Sequence, residues 1–440
     1  MANDTIIAAA TPPGNGGLSV LRVSGPHSLR STSFISKRHV SFFKERMATL
    51  CSVFNNEGAV VDKCVITYFR APSSYTGEDV VEISCHGNPF IVDSIITSFL
   101  TNGVRLAQPG EFTKRAFLNG KIDLVQAESV ASLISSRSLK SIEFSNSAIS
   151  GKVSTQLGSL RDDVVSVLAA CEYELDISEE ETSKDINLKY ILSITNVADK
   201  FKHLYSTFNK NRFYFSGASV VIAGKPNVGK STLFNTLVGL DRSIVNEAPG
   251  TTRDYIDSNI IIEGVPIRIF DTAGTRESLD DIEMAGVRRS QGVVRDSDLT
   301  VYVHDVIDNI EPKDQNIYVL NKIDLLDDQQ MVGTESGYIP ISAKTGAGIP
   351  SLKSAISSFL SGNNSQQADT VLTTKRQADS MLLCYKHLLA ACVILKEKNP
   401  GYDLVAFEIR ESISHLDKVL GKTHPDKILN KVFNNFCVGK

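Results

Sequence analysis

Residues 224–231 read Gly224-Lys225-Pro226-Asn227-Val228-Gly229-Lys230-Ser231, and they decide how the rest of the chain is read. The spacing fits the phosphate-loop pattern G-x-x-x-x-G-K-[ST]. An apolar run, Val220 to Ala223, precedes it and predicts a buried strand; Leu233, Phe234, Leu237 and Val238 follow at helical spacing. Strand, glycine-rich turn and helix are the context in which backbone N–H groups curl around a phosphate, assisted by the positive end of the helix. In such a loop Asn227, Val228 and Gly229 lie along the phosphates, with Ser231 and Thr232 at the helix start. Lys230 is the residue expected to reach the β- and γ-phosphates, and Ser231 to ligate Mg²⁺.

Further signals follow in the order a guanine-nucleotide domain requires. Asp271-Thr272-Ala273-Gly274 ends an apolar run, Ile267–Phe270, as a metal-side carboxylate and a glycine facing the γ-phosphate should. Thr251 and Thr252 lie between these two motifs, where a switch loop supplies a second Mg²⁺ ligand, assigned to Thr252. Asn321-Lys322-Ile323-Asp324 follows a predicted strand, Ile317–Leu320. A carboxylate at Asp324 accepts from both N1–H and the 2-amino group of guanine, a donor pair that adenine lacks, so GTP is expected over ATP. Ser342-Ala343-Lys344 follows another run, Tyr338–Ile341, and is expected to close over the base.

The chain has 440 residues, too many for one core, and suggests about two to four domains. Its net charge of −4 excludes a global basic field for nucleic acid, though not a local patch. The seven cysteines are scattered and form no C-x-x-C pair, which predicts a reducing cytosol with neither a zinc site nor a disulfide framework. No apolar run approaches the roughly 18–20 residues of a membrane span. The start of the chain lacks a basic stretch and carries Asp4, unlike a signal peptide. A cytoplasmic location is therefore expected.

Three segments stand out by composition. Residues 1–118 are rich in short β-branched runs such as Val65–Tyr68 and Val80–Ile83, separated by Pro12-Pro13-Gly14 and similar turns, and predict an α+β domain. Residues 119–215 contain little Gly or Pro and place Val153, Leu157, Leu160, Val164 and Leu168 on one helical face. Residues 216–362 carry the nucleotide motifs. Residues 363–440 return to helical spacing, with Ile409, Ile413, Leu416 and Leu420, then Ile428, Val432 and Phe436. Apolar stripes need partners, so the two helical segments are expected to pack together as one α-helical bundle. The α/β P-loop (Ras-like) G domain is then an insertion into that bundle, and residues 361–368 read as a linker.

With the parts placed, the whole chain resembles the MnmE (TrmE) family of tRNA-modification GTPases. The resemblance rests on Ala10-Thr11-Pro12-Pro13-Gly14, Leu21-Arg22-Val23-Ser24-Gly25, Tyr75-Thr76-Gly77-Glu78-Asp79, Pro109-Gly110-Glu111-Phe112-Thr113, Asn119-Gly120-Lys121 and the final Cys437-Val438-Gly439-Lys440. It implies a cytosolic homodimer joined through N-terminal domains. It also implies a flavoprotein partner, MnmG (GidA), in a heterotetramer-type complex that adds an aminomethyl or carboxymethylaminomethyl group at C5 of the wobble uridine of certain tRNAs. A tetrahydrofolate such as 5-formyltetrahydrofolate is expected at Arg22, Glu82, Lys121 and Lys440, with Cys437 as a candidate reactive thiol or a packing residue.

The resemblance also implies how hydrolysis proceeds. Thr275 stands directly after Asp-x-x-Gly, where regulatory GTPases keep a water-orienting Gln. In its place the family binds K⁺, here through Asn227 and the carbonyls of Asn246 and Ala248, with Thr251 nearby in the switch segment Asn246-Glu247-Ala248-Pro249-Gly250-Thr251. Glu283 matches the water-positioning carboxylate, and with Lys230 forms the expected catalytic pair. The sequence departs from the family at Thr275, at Asn88 after His86-Gly87, and at Asp176-Ile177-Ser178-Glu179-Glu180. Two rival readings use the same motifs: an Era-like ribosome-assembly GTPase switch, and a folate-binding module whose G domain only controls dimer shape.

Overall fold

A computed structural model describes residues 4–177, 184–241, 256–271, 297–305, 316–325, 337–362, 371–398, 400–423, 426–434, 436 and 439. The chain divides into two compact units. One comprises Met1–Ala131, Ala148–Asp199 and Ser380–Lys440; the other comprises Ser132–Ser147 and Lys200–Asp379.

The first unit opens on a sheet. Strands β1 (Ile6–Ala9), β2 (Gly16–Ser24), β3 (Thr49–Phe54), β4 (Val60–Phe69), β5 (Val80–Gly87) and β6 (Arg105–Leu106) lie in the order β3-β4-β5-β2-β1-β6. Neighbours are antiparallel except β1 with β6. Alternation decides the faces. Leu21, Val23, Val81, Ile83 and Cys85 point into a core shared with the helices Ser28–Ser36 and Pro89–Leu100. The residues between them point the other way, and the β2–β5 register sets Arg22 directly opposite Glu82. The reverse face of β1 contributes Ile6 and Ala8, which pack on Phe112 of the helix Glu111–Leu118.

The helical part of this unit follows the predicted stripes. The helix Lys152–Ile177 buries Val153, Leu157, Leu160 and Val164 and packs along Tyr402–Leu420, which buries Ile409, Leu416 and Leu420. Arg161 donates to Asp417 between them at 2.6 Å. The last described helix, Asp426–Phe433, seats Leu429, Val432, Phe433 and the following Phe436 against Phe117, Leu124 and Ala127. Gly110 (φ 67°) permits this approach, since a Cβ there would stand 3.0 Å from Phe436 Cβ and press on the Phe433 carbonyl.

The second unit holds β7 (Ala218–Ala223), β8 (Ile256–Ile262), β9 (Val265–Asp271), β10 (Leu299–His304), β11 (Asn316–Leu320) and β12 (Tyr338–Pro340), in the order β12-β11-β10-β7-β9-β8. Every neighbouring pair is parallel except β8 with β9. Apolar runs such as Val220–Ala223 fit a parallel sheet covered on both faces. Their side chains meet Leu233 and Leu237 from the helix Lys230–Asp241, and Leu352 and Ile356 from Ile349–Ser361. The hairpin β8–β9 was not among the sequence expectations. Its turn residues Glu263 and Gly264 both have positive φ, 47° and 84°, as a two-residue I′ turn needs. After β7 the chain builds one side of the sheet, then returns to build the other. The carboxyl end of β7 is therefore a topological switch point, where α/β sheets bind ligands.

Phe433 is buried with its ring 6.4 Å from Phe117 and 5.5 Å from Phe436. Phe433→Ala should remove about 3–5 kcal/mol of packing. Hydrogen exchange should then show residues 426–434 losing protection first; unchanged protection of this helix would contradict the docking described.

Candidate functional site

The loop after β7 turns where only glycine fits. Gly224 has φ 147°, and a Cβ there would collide with the Val303 carbonyl; Gly229 has φ 97°, and a Cβ there would strike the Asn321 amide nitrogen. Asn227 adopts φ 65°, a conformation asparagine tolerates better than most residues. Lys230 is buried and its Nζ donates to the carbonyls of Gly224 (2.9 Å) and Lys225 (2.8 Å), so the ammonium lies inside the curl of the loop. Ser231 and Thr232 are exposed at the start of the helix.

Three loops are tied by one side chain. Asn321 is buried just past β11; its Nδ2 donates to the Val228 carbonyl at 2.9 Å and its Oδ1 accepts from Ala343 N at 2.9 Å. Lys322 (φ 65°) donates to the Asn227 carbonyl at 2.8 Å and pairs with Asp305 at 3.1 Å. Thr236, on the helix behind the phosphate loop, donates to the Ala343 carbonyl at 2.8 Å. Buried Ser342 holds its own turn by accepting from Thr345 N at 3.1 Å. A hydrogen bond from Ser342 holds the exposed Asp324 carboxyl below the usual carboxylate range, with help from its own backbone N–H and the Lys344 charge. Asp324 thus stands charged and solvent-facing at neutral pH. Buried Asp271 ends β9, in register with Ile222 of β7.

Hydrogen bonds therefore join Asn227 to Lys322, Val228 to Asn321 and Asn321 to Ala343, Lys230 bonds within its own loop, and Ser342 holds Asp324. Asn246, Glu247, Ala248, Pro249, Gly250, Thr251, Thr252, Thr272, Ala273, Gly274, Thr275 and Glu283 lie outside the described residues. Asp305 and Thr236 were not among the sequence candidates. Neither belongs to a motif, and only the fold brings them to these loops.

A second cluster lies on the face of the first sheet that carries Arg22 and Glu82. Arg22 donates to Glu82 Oε1 through Nε (3.0 Å) and Nη2 (2.8 Å). Its Nη1 lies 3.4 Å from the Gly439 carbonyl, and its guanidinium stacks near Tyr75 (5.5 Å) and Phe112 (5.8 Å). Gly439 (φ 96°) leaves no room for a Cβ beside the Ala9 carbonyl, so the tail crosses the end of β1. Lys121 donates to the Pro72 carbonyl at 3.0 Å, with its stem against Gly77. Arg22 and Glu82 are thus paired directly. Lys121 borders the loop that carries Tyr75, whereas Cys437 and Lys440 lie outside the described residues.

That loop is anchored from below by a buried arginine. Arg115 is 4 % exposed and reaches Glu78 (3.1 Å), Asp4 (2.9 Å) and Glu111 (3.1 Å). Ser24 donates to Glu78 at 2.8 Å, and Arg105 bridges Asp4 and Glu111. Burial alone would raise the Asp4 and Glu111 carboxyls. Hydrogen bonds from Arg105, with the charge or hydrogen bonding of Arg115, outweigh it and hold both below their ordinary values.

The family described as "GTP-binding protein TrmE N-terminus" matches residues 5–121, and the family described as "MnmE helical domain" matches residues 124–437. A protein of Carboxydothermus hydrogenoformans named "tRNA modification GTPase MnmE" is 36% identical over 462 positions, covering 100% of both chains. A protein of Cytophaga hutchinsonii with the same name is 38% identical and covers 99% of this chain and 98% of its own. A third, from Thermotoga maritima, is 36% identical over 99% of this chain and all of its own.

Arg115→Met should leave the Asp4, Glu78 and Glu111 charges clustered without their shared cation, a loss of about 3–5 kcal/mol at pH 7. Asp4 and Glu111 have depressed folded values. Their stabilisation is therefore full above the unfolded values near pH 4, and is lost as pH falls through the lower folded ones. Urea unfolding of wild type and Arg115→Met should differ more at pH 7 than at pH 3, the gap narrowing as the carboxylates protonate. An equal gap at both would show that packing, not charge, is what the arginine supplies.

Proposed function

This chain belongs to the MnmE (TrmE) family of tRNA-modification GTPases, and from that premise we propose that GTP hydrolysis in residues 216–362 drives modification at C5 of the wobble uridine of certain tRNAs. The chain is a GTP hydrolase acting in tRNA modification, and the Era-like reading falls away. The observation that carries the nucleotide assignment is the Asn321 side chain, which binds the phosphate-loop backbone and the Ser342-Ala343-Lys344 turn at once. A bound GTP would span these elements, with phosphates along Asn227–Thr232 and the base beside Asp324.

The residues fit the expected cations. Ser231 presents a hydroxyl at the start of a helix, Asp271 a carboxylate at the end of a neighbouring strand, and Asn227 a side-chain amide in the loop between. These are oxygen donors suited to hard ions. Ser231 and Thr252 are assigned to Mg²⁺; Asn227, the Asn246 and Ala248 carbonyls and Thr251 to K⁺. Bound there, the cations offset the negative charge that develops on the transferring phosphoryl group. Lys230 stabilises the same charge, and Glu283 orients the attacking water. Glu247, Pro249, Gly250, Thr272, Ala273 and Gly274 are assigned to GTP binding.

We assign the Arg22–Glu82 face to a tetrahydrofolate of the 5-formyl class. Arg22 uses Oε1 of Glu82, which leaves Oε2 to accept from the pterin ring. Lys121 and Lys440 are assigned to its anionic tail, and Cys437 is assigned either as a reactive thiol toward the one-carbon unit or as a packing residue. The same reading includes a helical domain formed by residues 119–215 and 363–440, a cytoplasmic homodimer joined through residues 1–118 alone, and a flavoprotein MnmG/GidA-like partner in a heterotetramer-type complex. No helix among the described residues is long and apolar enough to cross a membrane.

Asp324→Asn should weaken GTP binding by about 10- to 100-fold, because charge-assisted bonds are worth roughly 1.5–3 kcal/mol each. Turnover of the wild type should be faster in KCl than in NaCl, and Asn227→Ala should erase the difference while GTP still binds. Nucleoside analysis of tRNA from cells carrying either variant should show less modified wobble uridine. Undiminished GTP affinity in Asp324→Asn would remove the base assignment, and equal turnover in both salts would remove the K⁺ assignment.

A further inference from the structure

The helices Lys375–Ile394 and Tyr402–Leu420 bring together a set of side chains that the GTPase reaction does not use. Glu411 and His415 are four residues apart and so share one face of the second helix, with Glu408 one turn earlier. His387 comes from the first helix. Its ring stacks on His415 with centroids 5.3 Å apart and planes 21° apart. One ligand atom each from His387, Glu411 and His415 lies within 4.8 Å of the others, and all three residues are half-buried. We propose that His387, Glu411 and His415 bind a divalent transition-metal ion of the Zn²⁺ class, and that Glu408 positions His387 for it.

The tautomer of His387 supports this reading. Its Nδ1 lies 2.7 Å from Glu408 Oε2. A carboxylate only accepts, so Nδ1 is the donor, and in the neutral ring Nε2 is the nitrogen that offers a lone pair to a metal. Metal-bound histidines regularly have this carboxylate behind the ring. His415 is also suited to the neutral state that ligation requires. Burial pushes its pKa down, Lys418 and His387 add to that, and Glu411 opposes. Glu408 and Glu411 together carry the two negative charges that balance a dication and outweigh Lys418.

The donor set chooses the ion. Two imidazoles disfavour Mg²⁺ and Ca²⁺, which take oxygen ligands, and suit Zn²⁺, Co²⁺, Ni²⁺ or Cu²⁺. Three protein ligands leave the fourth tetrahedral position to water. With bonds of about 2.0–2.1 Å, tetrahedral donors stand roughly 3.3 Å apart, so the side chains need to close by on the order of 1 Å. The bound ion would clip the two helices together and stabilise the folded chain by mass action. The expectation of no zinc site came from cysteine spacing. This site uses no cysteine and draws its ligands from two helices.

The test uses the full chain, stripped with chelator and then saturated with Mg²⁺ and GDP so that the nucleotide site is filled. Zn²⁺ should bind at one equivalent in competition with a chromophoric chelator and raise Tm. In ¹⁵N-histidine-labelled protein it should shift the His387 and His415 ring resonances and leave the other histidines unmoved. Glu408→Gln should weaken binding by about 10- to 100-fold, and His415→Gln by more, with GTP turnover and metal-free Tm close to wild type. Unshifted His387 and His415 resonances on Zn²⁺ addition would overturn the proposal without any variant. Undiminished affinity in a folded His415→Gln protein would overturn it as well.

Discussion

The two hydrogen bonds of the Asn321 amide are the interaction on which the nucleotide unit depends. One end donates to the phosphate loop and the other accepts from the turn after β12. A side chain with only donors or only acceptors cannot hold both. The same amide occupies the space a Cβ at Gly229 would need, so the glycine and the asparagine are fitted to each other. Lys322 adds a parallel tie from the same strand end to Asn227, and Thr236 ties the helix to Ala343. Loops that would each lose conformational entropy separately on binding a ligand are thus ordered beforehand by shared bonds.

Arginines play the corresponding part in the first unit. Arg115 is buried, which is tolerable only because several carboxylates surround it. Through Glu78 it sets the loop carrying Tyr75, and Tyr75 in turn flanks Arg22. Arg22 joins β2 to β5 through Glu82 and reaches the tail at Gly439. The tail arrives there because Phe433 and Phe436 are seated against Phe117 and because Gly110 and Gly439 allow close backbone approach. A residue near the start of the chain and one at its end therefore meet through apolar packing, not through charge attraction alone.

Much of this architecture is legible locally. Strands β7, β9, β11 and β12 fall on the apolar runs that precede each motif, because parallel strands covered on both faces must be apolar throughout. The stripe from Val153 to Val164 is buried as its 3.6-residue period requires, and the motif order alone states that a phosphate and a guanine base are handled by one domain. The hairpin β8–β9 escaped because its turn, Glu263-Gly264, lacks the usual Asn-Gly signature.

The set of elements, their order and the chemistry carried by contiguous motifs are thus written in the residues themselves, since periodicity and motif spacing act over a few residues. The pairings between distant positions come from the folded chain. Arg22 faces Glu82 through antiparallel register, Asn321 reaches Val228 across a parallel sheet, and His387 meets His415 through helix packing. Each of these depends on where the backbone returns after a long excursion. That return is fixed by the burial of whole faces, a property of the assembled core that no short stretch of sequence contains.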